Sequence, residues 1–219
     1  MAAYYALDHP ESRTTLYGYF SGDGSVLGFL AVARTGFDLF RPLLVPFVAQ
    51  PVAMAGLLRE ALLPGRPALL HVPIEQRDWA LEVVELSEPR SLELLRCDPR
   101  SFQPLINVLV VESKTDQDWP RFEIKSRDVV QAGSGINWKG RKFGEIYVEA
   151  TREGQTRGFR RSVMAPVMLR LLSERRIPLF RVSEEDVAAQ MEAVDLGFRR
   201  TGERSLLGQV LLREPSPVR

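Results

Sequence analysis

Between residues 152 and 161 the chain reads REGQTRGFRR, and the apolar run SVMAPVMLRLL follows. Arg152, Arg157, Arg160 and Arg161 crowd around Gly158 where a helix begins. A helix N-terminus exposes unpaired backbone N–H groups and carries a partial positive charge. A glycine there lets a ligand come close to the main chain. Together with Gln155, these residues suit a phosphate or pyrophosphate. A solvated basic turn is the competing reading. No Gly-Lys-Ser/Thr follows, so the segment is not a P-loop, and it lacks the further glycines of a dinucleotide fingerprint.

Other chemistries have little to work with. Cys97 is the only cysteine, which excludes an internal disulfide and a thiolate metal cluster. His9 and His71 are the only histidines, too few for a histidine-rich metal site or a ready cysteine–histidine pair, so no metal is expected. Cys97 reads as a small structural residue and His71, in an apolar strand, as a satisfied core residue. Net charge is +1 over 219 residues, so no global field argues for nucleic acid or an anionic membrane. Neither a signal peptide nor an uncharged apolar run of membrane-spanning length is present, and a cytoplasmic protein is expected.

The elements that must position these residues read as α/β. Residues 16–48 predict three strands, with a hairpin turn at Ser21-Gly22-Asp23-Gly24. Pro51 opens a helix, VAMAGLLREALL, which Pro64-Gly65-Arg66-Pro67 stops. ALLHVPI reads as a strand, WALEVVELSE as helix or strand, and FQPLINVLVVES contains a strand. The polar segment SKTDQDWPRFEIKSRD suggests a linker at 113–124. Beyond it come a strand DVVQAGSG entering a glycine turn, a loop NWKGRK, a strand FGEIYVEAT, a tight Gly154–Gly158 connection and a helix interrupted by Pro166. A strand IPLFRVS, a helix stopped by Gly197 and a strand SLLGQVLLRE complete the chain, and residues 214–217 are expected to fray. The two halves share an order of elements without a fixed repeat period.

The run Gln155-Thr156-Arg157-Gly158-Phe159-Arg160, its apolar helix and the later Leu196-Gly197-Phe198 resemble the GNAT acyltransferase superfamily over residues 128–212. That resemblance implies a mixed central sheet flanked by helices. It divides the chain into a degenerate GNAT-like half at 1–112, the linker and a CoA-binding half at 125–219, a tandem arrangement. Around Gln50-Pro51-Val52-Ala53 the first half has no matching Gly-Arg loop.

The resemblance further implies acetyl-CoA as cosubstrate. Gln155, Thr156, Arg157, Gly158, Phe159, Arg160 and Arg161 would hold its pyrophosphate. The strand before the loop would spread from its neighbour, bringing the backbone of Val148 and Ala150 to the thioester arm. Arg160 stands where the family has Gly or Ala, and would either crowd the pyrophosphate or clamp it. Asp186 stands at the family's asparagine position, and Ala193 at the tyrosine that often serves as general acid. On the strand, Glu145, Tyr147 and Glu149 share one face. If that face lines a cleft, Glu145 or Glu149 is a candidate base and Tyr147 a substitute acid; if it meets solvent, they are surface residues. Trp138 is a candidate for the acceptor side. The implied function is acetyl transfer to an amine of a small molecule or peptide. The rival is a catalytically silent GNAT-like module that binds a ligand or partner. A homodimer is compatible with both.

Overall fold

A computed structural model describes residues 2–35, 38–115 and 119–213. It divides into two compact units, Met1–Leu92 with Arg204–Arg219, and Glu93–Glu203. In chain order the elements are α1 (Ala2–Leu7), β1 (Thr14–Phe20), β2 (Val26–Ala33), β3 (Leu43–Val48), α2 (Pro51–Ala61), β4 (Ala68–Pro73), α3 (Arg77–Leu81) and β5 (Val84–Cys97). They continue with β6 (Val110–Lys114), β7 (Pro120–Ser126), β8 (Val129–Lys139), β9 (Phe143–Ala150), α4 (Arg152–Thr156), α5 (Phe159–Ser173), β10 (Ile177–Ser183), α6 (Val187–Asp195) and β11 (Phe198–Leu212).

In the first unit β1, β2 and β3 form an antiparallel meander, β3 and β4 are parallel, and β4 pairs antiparallel with β11. Pro51 occupies the first turn of α2, where the missing N–H costs nothing. Met54, Leu57 and Leu58 bury one face of that helix against Leu30, Leu44 and Leu70. His71 is buried and its Nε2 lies 2.9 Å from Ser205 Oγ.

In the second unit β6 to β9 are successive antiparallel neighbours, and β9 is parallel to β10. The strands of each unit are thus of mixed direction, and helices pack on them. Helix α5 is apolar around most of its girth: Val163, Val167, Met168 and Leu171 are fully buried. It continues past Pro166 to Ser173. Cys97 lies in the same core, and burial followed by the Asp98 charge raises its thiol to about 11, which leaves it unreactive.

The structure corrects several expectations. The segment 113–124 is no linker: β6 and β7 pair across it, with Lys114 opposite Pro120. The pair lies at the end of the strand order, where polar side chains are tolerated, and residues 116–118 lie outside those described. The 1–112 and 125–219 halves do not match the compact units, because Ser205–Val210 of the last strand pairs with Pro73–Ala68. Such long-range pairing has no local signature. The apolar run Leu105–Leu109 is loop, and regular strand starts only at Val110. The glycines of DVVQAGSG lie inside β8, which runs on through Asn137-Trp138-Lys139 of the expected loop. The Gly154–Gly158 connection contains the short helix α4, and α1 carries no clear sequence signal. Residues 214–217 fall outside the described part.

Gly197 ends α6 as expected, at φ +97°. A Cβ there would stand 2.8 Å from the backbone of Ser101 and Phe102. Gly197→Ala therefore combines an unfavourable dihedral with overpacking against main chain that cannot rotate away. A loss of about 2–4 kcal/mol is expected, measurable as a lower urea midpoint with unchanged slope; wild-type stability would show that the 98–102 turn yields freely.

Candidate functional site

The second unit's parallel pair is short. Its register runs from Ile177 opposite Phe143 to Phe180 opposite Ile146, while β9 continues to Ala150 and β10 to Ser183. Tyr147–Ala150 and Arg181–Ser183 therefore run on outside the β9/β10 ladder. Helix α5 follows the end of β9 through α4, and α6 follows the end of β10. Two helix N-termini thus stand at the carboxyl ends of two diverging parallel strands, the usual place for a ligand in an α/β sheet.

Gly158 is the residue before α5 and adopts φ 68°, ψ 24°, the left-handed region that favours glycine. No side-chain cap serves the start of α5, and nothing lies within 4 Å of where a Gly158 Cβ would be. The first turn of α5 carries the amides of Phe159, Arg160 and Arg161, the group of donors that a helix start offers to an anion. Upstream, Thr151 caps α4 by accepting from Gly154 N at 3.1 Å. Gln155 Nε2 donates to the Ala150 carbonyl at 3.2 Å, and Thr156 Oγ1 to Arg152 O at 3.0 Å.

The arginines do not converge on one point. Arg160, buried, places Nη1 2.8 Å from Asp186 and Nε 2.7 Å from Glu192. The second contact is an ion pair without hydrogen-bond alignment. Arg161 pairs with Asp195 at 2.8 Å. Both side chains are committed to acids around α6, so what they offer at the helix start is their amides. Asp186 is also the cap of α6, its Oδ1 accepting from Ala189 N at 2.9 Å. Arg157 pairs with Glu153 at 3.3 Å and lies over the Phe159 ring, 4.8 Å from its centroid. Arg152 is exposed.

The two faces of β9 differ as the alternation predicts. Ile146 is in the core beneath α5, and Val148 and Ala150 pack beside Phe159 and Val163. On the other face a residue overlooked in the sequence, Arg121, organises the polar groups. Its guanidinium donates to Tyr147 Oη at 2.7 Å, to Glu123 at 2.6 Å and to Glu149. Arg121 and Tyr147 both lie opposite Gly135, and Glu123 and Glu149 opposite Gly133. A Cβ at either glycine would collide with Tyr147 or Arg121, so the two glycines give these side chains their room. The alternation Arg121-x-Glu123-x-Lys125 was the available signal for this cluster.

Burial opposes ionisation of Glu123, yet hydrogen bonds and charge from Arg121 and Lys125 outweigh it and hold the carboxyl below its ordinary range. Burial likewise works against the Arg121 cation, but bonds to Glu123, Glu149 and Tyr147 raise its pKa further. Glu145 is buried, with Arg181 Nε 3.0 Å from Oε2 and Asn137 Nδ2 3.3 Å from Oε1. Glu149 keeps 58% of its side-chain surface exposed. Ala193 is wholly buried, and Trp138 is buried at 4% exposure. Among the described residues no three His, Cys, Asp or Glu side chains form a metal site, and no helix is long and apolar enough to cross a membrane.

Solved structures similar to this chain include several N-acetyltransferases of the GNAT family. A GCN5-related N-acetyltransferase from Kribbella flavida superposes with TM-score 0.61 at 13% identity, covering 90% of this chain and 88% of its own. A GCN5-related N-acetyltransferase-like protein from Streptococcus suis gives 0.61 at 14% identity, with 97% of each chain covered. The chain has the GNAT fold. A tandem GNAT protein from the clavulanic acid biosynthesis pathway also superposes, with TM-score 0.59 at 10% identity over 97% of this chain and 87% of its own. No protein-family model matches the sequence, and no curated protein does.

The Glu123 arrangement has a pH signature. A carboxyl held below its unfolded pKa contributes stability that is present above that value, near pH 4.3, and lost as pH falls through the folded pKa. Glu123→Gln should be less stable than wild type at neutral pH and converge with it in acid. Urea midpoints across that range test this; a constant difference would assign the effect to packing.

Proposed function

We propose that the second unit binds acetyl-CoA and transfers its acetyl group to an amine of a small molecule or peptide. The observation that carries this reading is the end of β9/β10 pairing at Ile146 and Phe180, with the uncapped start of α5 beside it. The residues fit the cosubstrate. Gly158 leaves the amides of Phe159, Arg160 and Arg161 open to a pyrophosphate, and the Arg160 side chain is folded into its pair with Asp186 and Glu192. Gln155, Thr156, Arg157 and Arg152 border the same turn. The backbone of Val148 and Ala150 lies on the part of β9 that β10 does not pair, alongside which a pantetheine arm would run.

When bound, acetyl-CoA supplies the activated thioester. The chain must take the amine proton and provide one to the departing thiolate. Of the three candidates on β9, Glu149 is the base, since its carboxylate reaches solvent while both oxygens of Glu145 are occupied. Tyr147 is the acid, oriented by Arg121. Glu145 holds the β9 face in place through Arg181. In the first unit, β3 and β4 pair only at Leu43–Leu69 and Leu44–Leu70, so that unit too has a short parallel pair. There the carbonyl of Val48 is taken by Gln76 Nε2 at 3.0 Å, and Pro51 deletes an amide from the start of α2. That unit is read as a GNAT-like half without a CoA seat, making the chain a tandem. A cytoplasmic location suits a chain with one buried thiol.

A silent binding module is the second reading, favoured by the buried Ala193 at the family's tyrosine position. Calorimetric titration of acetyl-CoA, followed by thiol release with a panel of amines, separates the two. Wild type should bind in the micromolar range, and a folded Gly158→Trp variant should not. Tyr147→Phe and Glu149→Gln should retain binding and lose about 100-fold in turnover. Binding without thiol release from any amine would establish the silent module. Absence of binding would end the CoA reading.

A further inference from the structure

On the flank of α5 turned towards β6 and β7, the loop before β6 roofs a cavity of about 290 Å³. Leu105, Ile106, Val110, Phe122, Ala165 and Leu169 supply its apolar walls. The roof is pinned by one side chain. Asn107 Nδ2 bonds Ser162 Oγ at 3.0 Å, while its Oδ1 accepts from Leu109 N and its carbonyl from Val110 N, both at 3.0 Å. Asn107 thus fixes the loop to α5 by a polar bond. Its apolar neighbours do not collapse into the space: Ile106 remains 91% exposed although it lines the cavity.

Two acceptors belong to residues of the lining, the main-chain carbonyl of Ser162 and the exposed carboxylate of Glu112. Pro166 has no N–H, so the Ser162 carbonyl four residues earlier lacks its helical donor, and both residues line the cavity. Glu112 also lines it. Its register partner on β7 is Phe122, so the carboxylate and the ring share a sheet face. Among the described residues Glu112 makes no ion pair or hydrogen bond, whereas Lys114, two residues along the same face, already has a partner. The polar groups left over are acceptors, one of them charged, and an aromatic ring stands beside them.

We propose that this cavity binds a small hydrophobic primary amine. The ammonium group sits against Glu112 and the Phe122 ring, with the freed Ser162 carbonyl as a further acceptor for its N–H groups, and the hydrocarbon lies along Ala165 and Leu169. Charge complementarity selects the cation: a carboxylate favours an ammonium over an alcohol and repels a carboxylate ligand, and an aromatic face adds to the same preference. The volume is at the small end for ligand sites and suits a short chain. The residues involved are separate from Gly158, Tyr147 and Glu149, so this proposal stands independently of acetyl transfer.

Calorimetric titrations with n-octylamine, octan-1-ol and octanoate test it on the full chain. Wild type should bind n-octylamine about fivefold or more tightly than octan-1-ol, and octanoate weakest. Glu112→Gln should erase the advantage of the amine while leaving the alcohol unchanged. Leu169→Trp, at a half-exposed position, should fill the groove and weaken the amine at least tenfold while circular dichroism shows the fold retained. Equal affinity for alcohol or octanoate, absence of binding up to the amine's solubility limit, or full binding by Leu169→Trp would overturn the proposal. Amine binding lost in Glu149→Gln but kept in Leu169→Trp would place the amine on the β9 face instead, with the same consequence.

Discussion

The second unit depends on where a parallel ladder stops. Four register pairs hold β9 to β10, and then each strand continues without the other. A strand that leaves its neighbour keeps backbone donors and acceptors on that side, which are obligatory hydrogen-bonding groups. A helix follows each strand end, α5 after β9 through α4 and α6 after β10, so helix N-terminal amides come after the point where the ladder stops. The buried face of α5 against β7, β8 and β9 fixes where those amides point. Core residues such as Val163 and Met168 therefore determine the position of a turn whose own residues are exposed.

Arg160 shows how a departure from a motif can be absorbed. A long cationic side chain replaces Gly or Ala at the start of α5, directly where a pyrophosphate would approach. Its guanidinium instead turns towards α6, against Asp186 and Glu192. Asp186 serves two purposes with its two oxygens, capping α6 and pairing with Arg160. The charge that would crowd an anion is neutralised away from it, and the two helix starts are tied together. Such a tie limits how far α5 can shift relative to α6.

The sequence was most legible where the signal is local. Pro51 at the start of α2, Gly197 at the stop of α6, and the alternation placing Glu145, Tyr147 and Glu149 on one face all act within a few residues. The helix start at Gly158 was legible for the same reason. What was lost is non-local. Nothing near Arg121 announces that it meets residues 26 and 28 positions later, and nothing in SLLGQVLL announces that it returns to pair with ALLHVP. The polar stretch at 113–124 misled because an edge hairpin and a linker share a composition; strand pairing and the burial of Glu123 and Ile124 separate them. The apolar run Leu105–Leu109 misled in the opposite sense, since a loop anchored by Asn107 can keep hydrophobic side chains outside any strand.

The two units place the same device in different states. Each has a parallel pair that is short compared with its strands, and each joins that pair by a helix. Fold alone therefore does not separate them; the chemistry at the helix start does. At α5 a left-handed glycine precedes three donating amides. At α2, a proline removes a donor and Gln76 bonds the carbonyl that ends β3. The start of α5 therefore offers more backbone donors than the start of α2. The polar ladder follows the same division: Arg121, Glu123, Tyr147 and Glu149 stand on strands of the second unit, whereas β3 presents Leu43, Leu44, Val45, Pro46, Phe47 and Val48 without an ionisable group.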